Sequence, residues 1–319
     1  MRNIFAADIG GTNSRFAYFI AEESAALRIV ETTWLRTADF HDFRQLLDQL
    51  IIEGFSLKPE DADVAVIAIA GPVEDGVFSA PPFISWNIDI SNAQEDYGFK
   101  KCFLINDFVA QAYACRSPIA RAAIKILSGQ EMPDKPAVVI GAGTALGKAA
   151  LIPDSSGGVI ALPSEGGHTN FPFISRRECE FQEFMLKERG GSDIIANYIV
   201  SGMGLKYIHK FLTGESLEPQ EIASTFHQNS ETLTWAARFY GRVCRNYALE
   251  TLAQGGVYIV GGVAAKSQEL LFDKAFEEEF HKSHTMSHIL KKIPVFLIMN
   301  EESGLWGAGF LGLQHSKVV

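Results

Sequence analysis

Short apolar runs separated by glycine-containing breaks recur along this chain, in the pattern of strands alternating with helices. Asn3 to Ile9 is apolar and rich in β-formers, Gly10-Gly11-Thr12-Asn13 interrupts it, and Arg15 to Ala21 resumes the apolar character. This predicts a hairpin around a special turn. Between Asp39 and Phe55, the residues Phe40, Phe43, Leu46, Leu47, Leu50 and Ile51 recur at helical spacing, with Gly54 as a stop signal. That spacing predicts an amphipathic helix. Ala65 to Ala70, ending in Gly71-Pro72, and Cys102 to Ile105, ending in Asn106-Asp107, read as buried strands. Buried strands alternating with helices imply a parallel α/β sheet, whose ligands bind at the strand ends.

A second strand, glycine turn, strand unit spans Ala137 to Pro153 and aligns with the first so that Gly11-Thr12 matches Gly143-Thr144. An internal duplication is the reading of this pair. Further on, Thr234 to Ala253 is helical in pattern, Val257 to Val260 reads as a strand ending in Gly261-Gly262, and a helix of mixed charge runs from Ser267 towards Lys282. The expected division is a small α/β domain of residues 1–117 plus 300–319 and a large α/β domain of residues 118–299.

Composition narrows the function classes. The length of 319 residues exceeds what one hydrophobic core supports, so two domains are expected, and 47% hydrophobic with 21% charged residues describes a globular chain. A net charge of −10 argues against nucleic acid as a partner, because such binding draws on clustered Lys and Arg. The longest obvious apolar run is Val64 to Ala70, too short to span a membrane, and Ile4 to Ala7 is cut by Asp8 before it could form a signal-peptide core. A cytoplasmic location with no membrane partner is expected. Cys102, Cys115, Cys179 and Cys244 are scattered without metal-ligand spacing, so reduced thiols and no zinc site are expected.

Several positions could carry chemistry. A glycine turn aims backbone N–H groups at one point without side chains in the way, which suits phosphate oxygens. Asp8, just ahead of the first turn, could orient magnesium through its water shell, or could simply cap turn amides. Gly143 to Ala149 is not a P-loop, because the first glycine is wrongly spaced and Ala149 stands where Ser or Thr must hold magnesium. Asp107 at a strand tip is the best candidate for a general base, with a helix N-cap as the alternative. Glu165-Gly166-Gly167-His168 places a carboxylate and an imidazole on a glycine loop suited to sugar hydroxyls, although a lone histidine is usually structural. Gly261-Gly262 either admits a nucleotide base or turns the chain. His281, His284 and His288 have a spacing that could share one helical face, but lack a fourth ligand, and a solvated surface helix is favoured.

Taken together, Ala7-Asp-Ile-Gly-Gly-Thr-Asn-Ser-Arg15, Ile105-Asn-Asp-Phe108, Gly141-Ala-Gly-Thr-Ala-Leu-Gly147, Pro163-Ser-Glu-Gly-Gly-His168 and Gly261-Gly-Val263 resemble bacterial glucokinases, in order and interval along nearly the whole chain. The resemblance implies a two-lobed hexokinase/actin-like α/β fold, a ribonuclease H-like duplication with a central cleft. It also implies a homodimer, and the use of Mg-ATP to make glucose 6-phosphate. By the same resemblance, Asp107 is the catalytic base and Asn106, Glu165 and His168 contact the sugar. Asp8, Ile9, Gly10, Gly11, Thr12 and Asn13, with Gly141, Gly143 and Thr144, form the phosphate loops, and Gly261 and Gly262 meet the adenosine. The cysteine motif of the zinc-binding relatives is missing, which points to the zinc-free branch. Two positions depart from the family pattern: Asn197 stands where a sugar-holding glutamate is usual, and Phe83 where an asparagine is usual. Asn197 is therefore a candidate sugar contact of altered chemistry. A kinase for another hexose or for an amino sugar is the nearest rival, and a catalytically silent sugar or nucleotide sensor on the same fold is the rival of another class. A DNA-binding repressor conflicts with the net charge, and an actin-like filament protein would have no use for the Glu165 to His168 loop.

Overall fold

The computed structural model describes residues 1–22, 26–155, 157–226 and 230–316. The last three residues of the expected 300–319 segment lie outside the described residues. The chain forms two compact units: Met1–Ala122 with Asp154–Pro163 and Asn300–Val319, and Ala123–Pro153 with Ser164–Met299. The segment Asp154–Pro163 thus belongs to the first unit, whereas the sequence reading puts it in the 118–299 domain.

The first unit is built on a sheet of β1 (Arg2–Ile9), β2 (Asn13–Ala21), β3 (Leu27–Arg36), β4 (Val64–Ile69) and β5 (Cys102–Asn106), in the order β3-β2-β1-β4-β5. The β1–β2 pair is antiparallel, and β4 runs parallel to both β1 and β5. Every residue of β4 is buried, as befits a parallel strand covered on both faces. On one face, helix α1 (Phe43–Ile52) presents Phe43, Leu46, Leu47 and Leu50 to a core that includes Phe5, Phe16 and Phe99. Asp42 caps it by accepting the Gln45 N–H. Helix α2 (Asp107–Ala114) follows β5 directly, and the terminal helix Ser303–Ser316 packs on α2 and β1. That terminal helix can approach so closely because glycines face its neighbours. A Cβ at Gly307 would fall on the Ala110 carbonyl oxygen, and one at Gly312 would stand 2.5 Å from Ile4 Cγ2.

The second unit carries β6 (Ile124–Leu127), β7 (Ala137–Ala142), β8 (Leu146–Pro153), β9 (Val257–Val260) and β10 (Val295–Leu297), with β8-β7-β9-β10-β6 as the order of these strands. Here β7 and β8 form the antiparallel hairpin, and β9 lies parallel to β7 and to β10. Each unit therefore repeats one scheme, a hairpin whose first strand pairs in parallel with a later strand and through it with the next. This is the duplication that the two Gly-Thr turns signal in the sequence. The core gathers around helix α5 (Glu231–Thr251), entered through a Ser230 cap after α3 (Arg176–Arg189) and α4 (Gly202–Thr213). Phe171, Phe181, Trp235 and Phe239 meet there edge to face or stacked. Arg242 is fully buried in α5 and ties Glu178 of α3 to Glu279 of α6 (Lys274–His281) through short charge-assisted bonds.

Two local expectations are corrected. The helix foreseen from Ser267 towards Lys282 forms as separate turns, Glu269–Phe272 and then α6, because Asp273 adopts an extended backbone and caps the next helix with its side chain. His281 closes α6, His284 lies in the following connection and His288 sits on Ser287–Leu290, so the three imidazoles do not share a helical face.

Candidate active site

In the first unit, strand register aligns the candidate groups. Ile9 is paired with Ile69, and Ile69 with Asn106, so the ends of β1, β4 and β5 form one row. Two strand spacings, about 10 Å, separate the start of the glycine turn from the start of α2. The turn is pinned rather than loose. Gly10 N–H donates to Asn13 O at 3.0 Å, Thr37 Oγ1 donates to Gly10 O at 2.7 Å, and Thr37 N–H donates to Thr12 O at 3.0 Å. Gly11 is crowded by the Phe83 backbone, whose oxygen would lie 3.0 Å from an added Cβ, while the Phe83 side chain is 67% exposed beside it.

Asp8 sits immediately before this turn as the register partner of Arg15, whose own partner across the sheet is Trp34. Arg15 Nη1 donates to Asp8 Oδ2 at 3.4 Å, and the guanidinium lies 4.4 Å from the Trp34 ring centre. Burial pushes the Asp8 carboxyl up from its ordinary range, and the Arg15 charge and hydrogen bond offset this only in part. The carboxylate is also pressed against the terminal helix, where a Cβ on Gly304 would stand 2.5 Å from Oδ2.

The strand-tip pair resolves one alternative. Asn106, not Asp107, caps α2: its Oδ1 accepts the Phe108 N–H at 2.9 Å. Its Nδ2 donates to Gly71 O and to Asp107 Oδ1, each at 2.9 Å. Asp107 Oδ1 also accepts the Phe108 N–H at 3.0 Å, so two donors fix the plane of this carboxylate at the helix start.

In the second unit, the turn between β7 and β8 has Gly143 N–H donating to Ala145 O at 2.9 Å, and Gly143 O accepting from Gly202 N–H, at the start of α4, at 3.2 Å. Gly261 follows β9 in the left-handed region at φ 91°, and a Cβ there would meet Ala142 O at 2.8 Å. Only glycine suits that place, which sets Gly261-Gly262 beside the Gly141 to Thr144 turn.

The loop from Glu165 to His168 is tied to the same hairpin. Gly166 O accepts from Lys148 Nζ at 3.3 Å and from Thr169 Oγ1 at 2.9 Å. Lys148 is buried, and desolvation lowers its pKa against the opposing charge of Glu250. Gly167 is wedged so tightly that a Cβ would come within 2.2 Å of both Asn197 Oδ1 and Leu146 O. Asn197 is only 8% exposed, and both ends of its amide are engaged internally: Oδ1 accepts the Leu146 N–H at 2.9 Å, and Nδ2 meets His168 Nε2 at 3.2 Å. The supporting roles of Lys148, Thr37 and Gly202 had no local signal in the sequence, since each depends on a partner far along the chain. Among the described residues, no group of three or more His, Cys, Asp or Glu side chains is placed to hold a metal ion.

Residues 5–315 match the glucokinase family model. A glucokinase from Saccharophagus degradans is 32% identical, with 95% of each chain covered. One from Nostoc punctiforme is 30% identical over 97% of this chain and 98% of its own. Among solved structures, a glucokinase from an Antarctic psychrotroph superposes with a TM-score of 0.85 at 26% identity, covering 99% of this chain and all of that one. The two repeated sheets are thus those of the hexokinase/actin-like sugar kinases, and this chain belongs to the glucokinase family.

Proposed function

We propose that this chain transfers the γ-phosphoryl group of ATP to D-glucose, giving glucose 6-phosphate, with Asp107 as the general base. The observation that carries the reading is the carboxylate of Asp107, oriented by Asn106 Nδ2 and Phe108 N–H at the tip of β5, in the same row of strand ends as the Gly10 to Asn13 turn. In this reading the turns at Gly10–Asn13 and Gly141–Thr144 hold the phosphates through backbone N–H groups, and Gly261-Gly262 borders the adenosine. Asn106, Glu165 and His168 hold the sugar. The hydroxyl oxygen forms the new bond to the γ-phosphorus, the bond from that phosphorus to the bridging oxygen of ADP breaks, and Asp107 takes the hydroxyl proton. Such a transfer asks mainly for positioning and charge neutralisation.

Asp8 is the residue that would hold magnesium. A single, largely buried carboxylate next to a phosphate turn, with Arg15 at 3.4 Å, fits this ion, which keeps most of its water and binds through one or two carboxylates plus substrate phosphates. When bound, it neutralises phosphate charge. The family likeness supports a homodimer acting in the cytoplasm, and no helix among the described residues is long and apolar enough to cross a membrane.

Phe83 exposed against the first turn and Asn197 turned inward favour a second reading, a kinase for another hexose or an amino sugar. A catalytically silent sensor on this fold would have no need of an oriented Asp107. ADP release from Mg-ATP, measured across glucose, mannose, fructose, galactose, glucosamine and N-acetylglucosamine, separates the three. Glucose should be turned over fastest, and Asp107→Ala should lower the rate by about 10²–10⁴-fold while leaving the fold intact. Near-normal turnover by that variant refutes Asp107 as base, turnover led by another sugar reassigns the substrate, and no turnover across the panel favours the sensor.

A further inference from the structure

The hydrogen-bond roles around His168 are determined by neighbours that cannot exchange them. The Leu146 N–H can only donate, so the Asn197 atom 2.9 Å from it is the carbonyl oxygen Oδ1. The other end of that amide is then the NH2 group, and it lies 3.2 Å from His168 Nε2. A donor opposite Nε2 calls for a bare lone pair there, which leaves the ring proton on Nδ1. Flipping the amide would set its NH2 against the Leu146 N–H, donor to donor, at a residue only 8% exposed. Asn197 Oδ1 packs against Gly167, 2.2 Å from where a Cβ would be, in space that only a glycine leaves open. Glu165 Oε2 stands 3.8 Å from Nε2, beyond hydrogen-bond reach, and does not compete for that nitrogen. Nδ1 has no hydrogen-bond partner among the described residues, and the imidazole is 66% exposed.

Resting on the sugar-kinase reading, we infer that Asn197 is a positioning residue that holds His168 as the neutral Nδ1–H tautomer, so that the loop presents a hydrogen-bond donor to a sugar oxygen. The loop then offers one donor, His168 Nδ1–H, and one acceptor-only group, the Glu165 carboxylate. A sugar oxygen can accept from the ring N–H, and a sugar hydroxyl can donate to the carboxylate.

The test uses the full chain labelled with nitrogen-15 in its histidines, with His168 identified by its loss in His168→Gln. The wild-type spectrum should show Nδ1 protonated and Nε2 bare. Asn197→Asp keeps an acceptor for the Leu146 N–H but turns an acceptor towards the ring, so its spectrum should show the proton moved to Nε2. A wild-type ring protonated on Nε2 overturns the lock whether or not the variant folds, and so does an unchanged tautomer in a folded variant. In steady-state kinetics at neutral pH, kcat/KM for glucose should fall about tenfold or more in Asn197→Asp, the weight of one hydrogen bond. An unchanged kcat/KM for glucose overturns the role of the tautomer in holding the sugar. A wild type that phosphorylates no sugar refutes the kinase reading itself, while the spectrum still decides the tautomer.

Discussion

One added methyl group at Gly167 should disable sugar phosphorylation without unfolding the protein. In Gly167→Ala the new Cβ would sit 2.2 Å from Asn197 Oδ1 and 2.2 Å from Leu146 O, so each contact must open by about 1.2 Å to reach the ordinary limit near 3.4 Å. Leu146 O belongs to the first backbone pair of the β7–β8 hairpin and has little freedom to retreat. The strain therefore falls on the loop and on the Asn197 amide. Overpacking of this kind costs about 1–3 kcal/mol, a fraction of the about 5–15 kcal/mol of a typical domain, so the variant stays folded. A displacement of about 1 Å in substrate-positioning groups lowers rates by about 10²-fold, so the kinetic effect outweighs the stability effect. The assay is initial-rate kinetics with glucose and ATP varied separately, alongside urea unfolding. The expected result is a fall of about 10²-fold in kcat/KM for glucose, a smaller change in the ATP parameters, and a urea midpoint lowered but still cooperative. Unaltered glucose kinetics at unaltered stability would refute the role of this loop in holding the sugar.

Two further perturbations test other parts of the structure. Gly304→Ala drives a Cβ to 2.5 Å from Asp8 Oδ2 and should raise the KM for Mg-ATP or lower kcat while glucose binding without nucleotide, followed by calorimetry, is retained; an unchanged ATP dependence argues against Asp8 at the phosphates. Arg242→Met removes the ion-pair partner of the buried Glu178 carboxylate, while Glu279 keeps Arg245, and should cost about 3–5 kcal/mol in urea unfolding at neutral pH. Burial pushes the Glu178 carboxyl up, but the Arg242 hydrogen bonds, the Ile174 amide and the Arg242 and Arg238 charges outweigh it, so its folded pKa lies below the ordinary 4.5. That stabilisation is present above 4.5 and is lost as pH falls through the folded value, so the gap between wild type and Arg242→Met should narrow in acid. A gap that widens in acid contradicts the assignment.

Local pattern was enough for much of this protein. Alternating and continuous apolar runs specify β1, β2, β4 and β7, helical spacing specifies α1, and the glycine turns at Gly10 and Gly143 mark where backbone N–H groups are uncovered. These are properties of residues a few positions apart, where steric and solvation preferences act directly. The strand-tip placement of Asp107 is local in the same sense, whereas the cap assigned to Asn106 was decided by the Nδ2 bond to Gly71, 35 positions away.

Tertiary packing alone decided the rest. Asn197 reads in the sequence as an altered sugar contact, but the fold turns it inward, because Leu146 and His168, 51 and 29 positions away, present a donor and an acceptor to the two ends of one amide. Gly167 looks like ordinary loop flexibility and is instead a steric requirement set by those same neighbours. The chain pattern fixes which groups are polar and where the backbone bends, while the pairing of distant donors and acceptors follows only once burial removes water as an alternative partner.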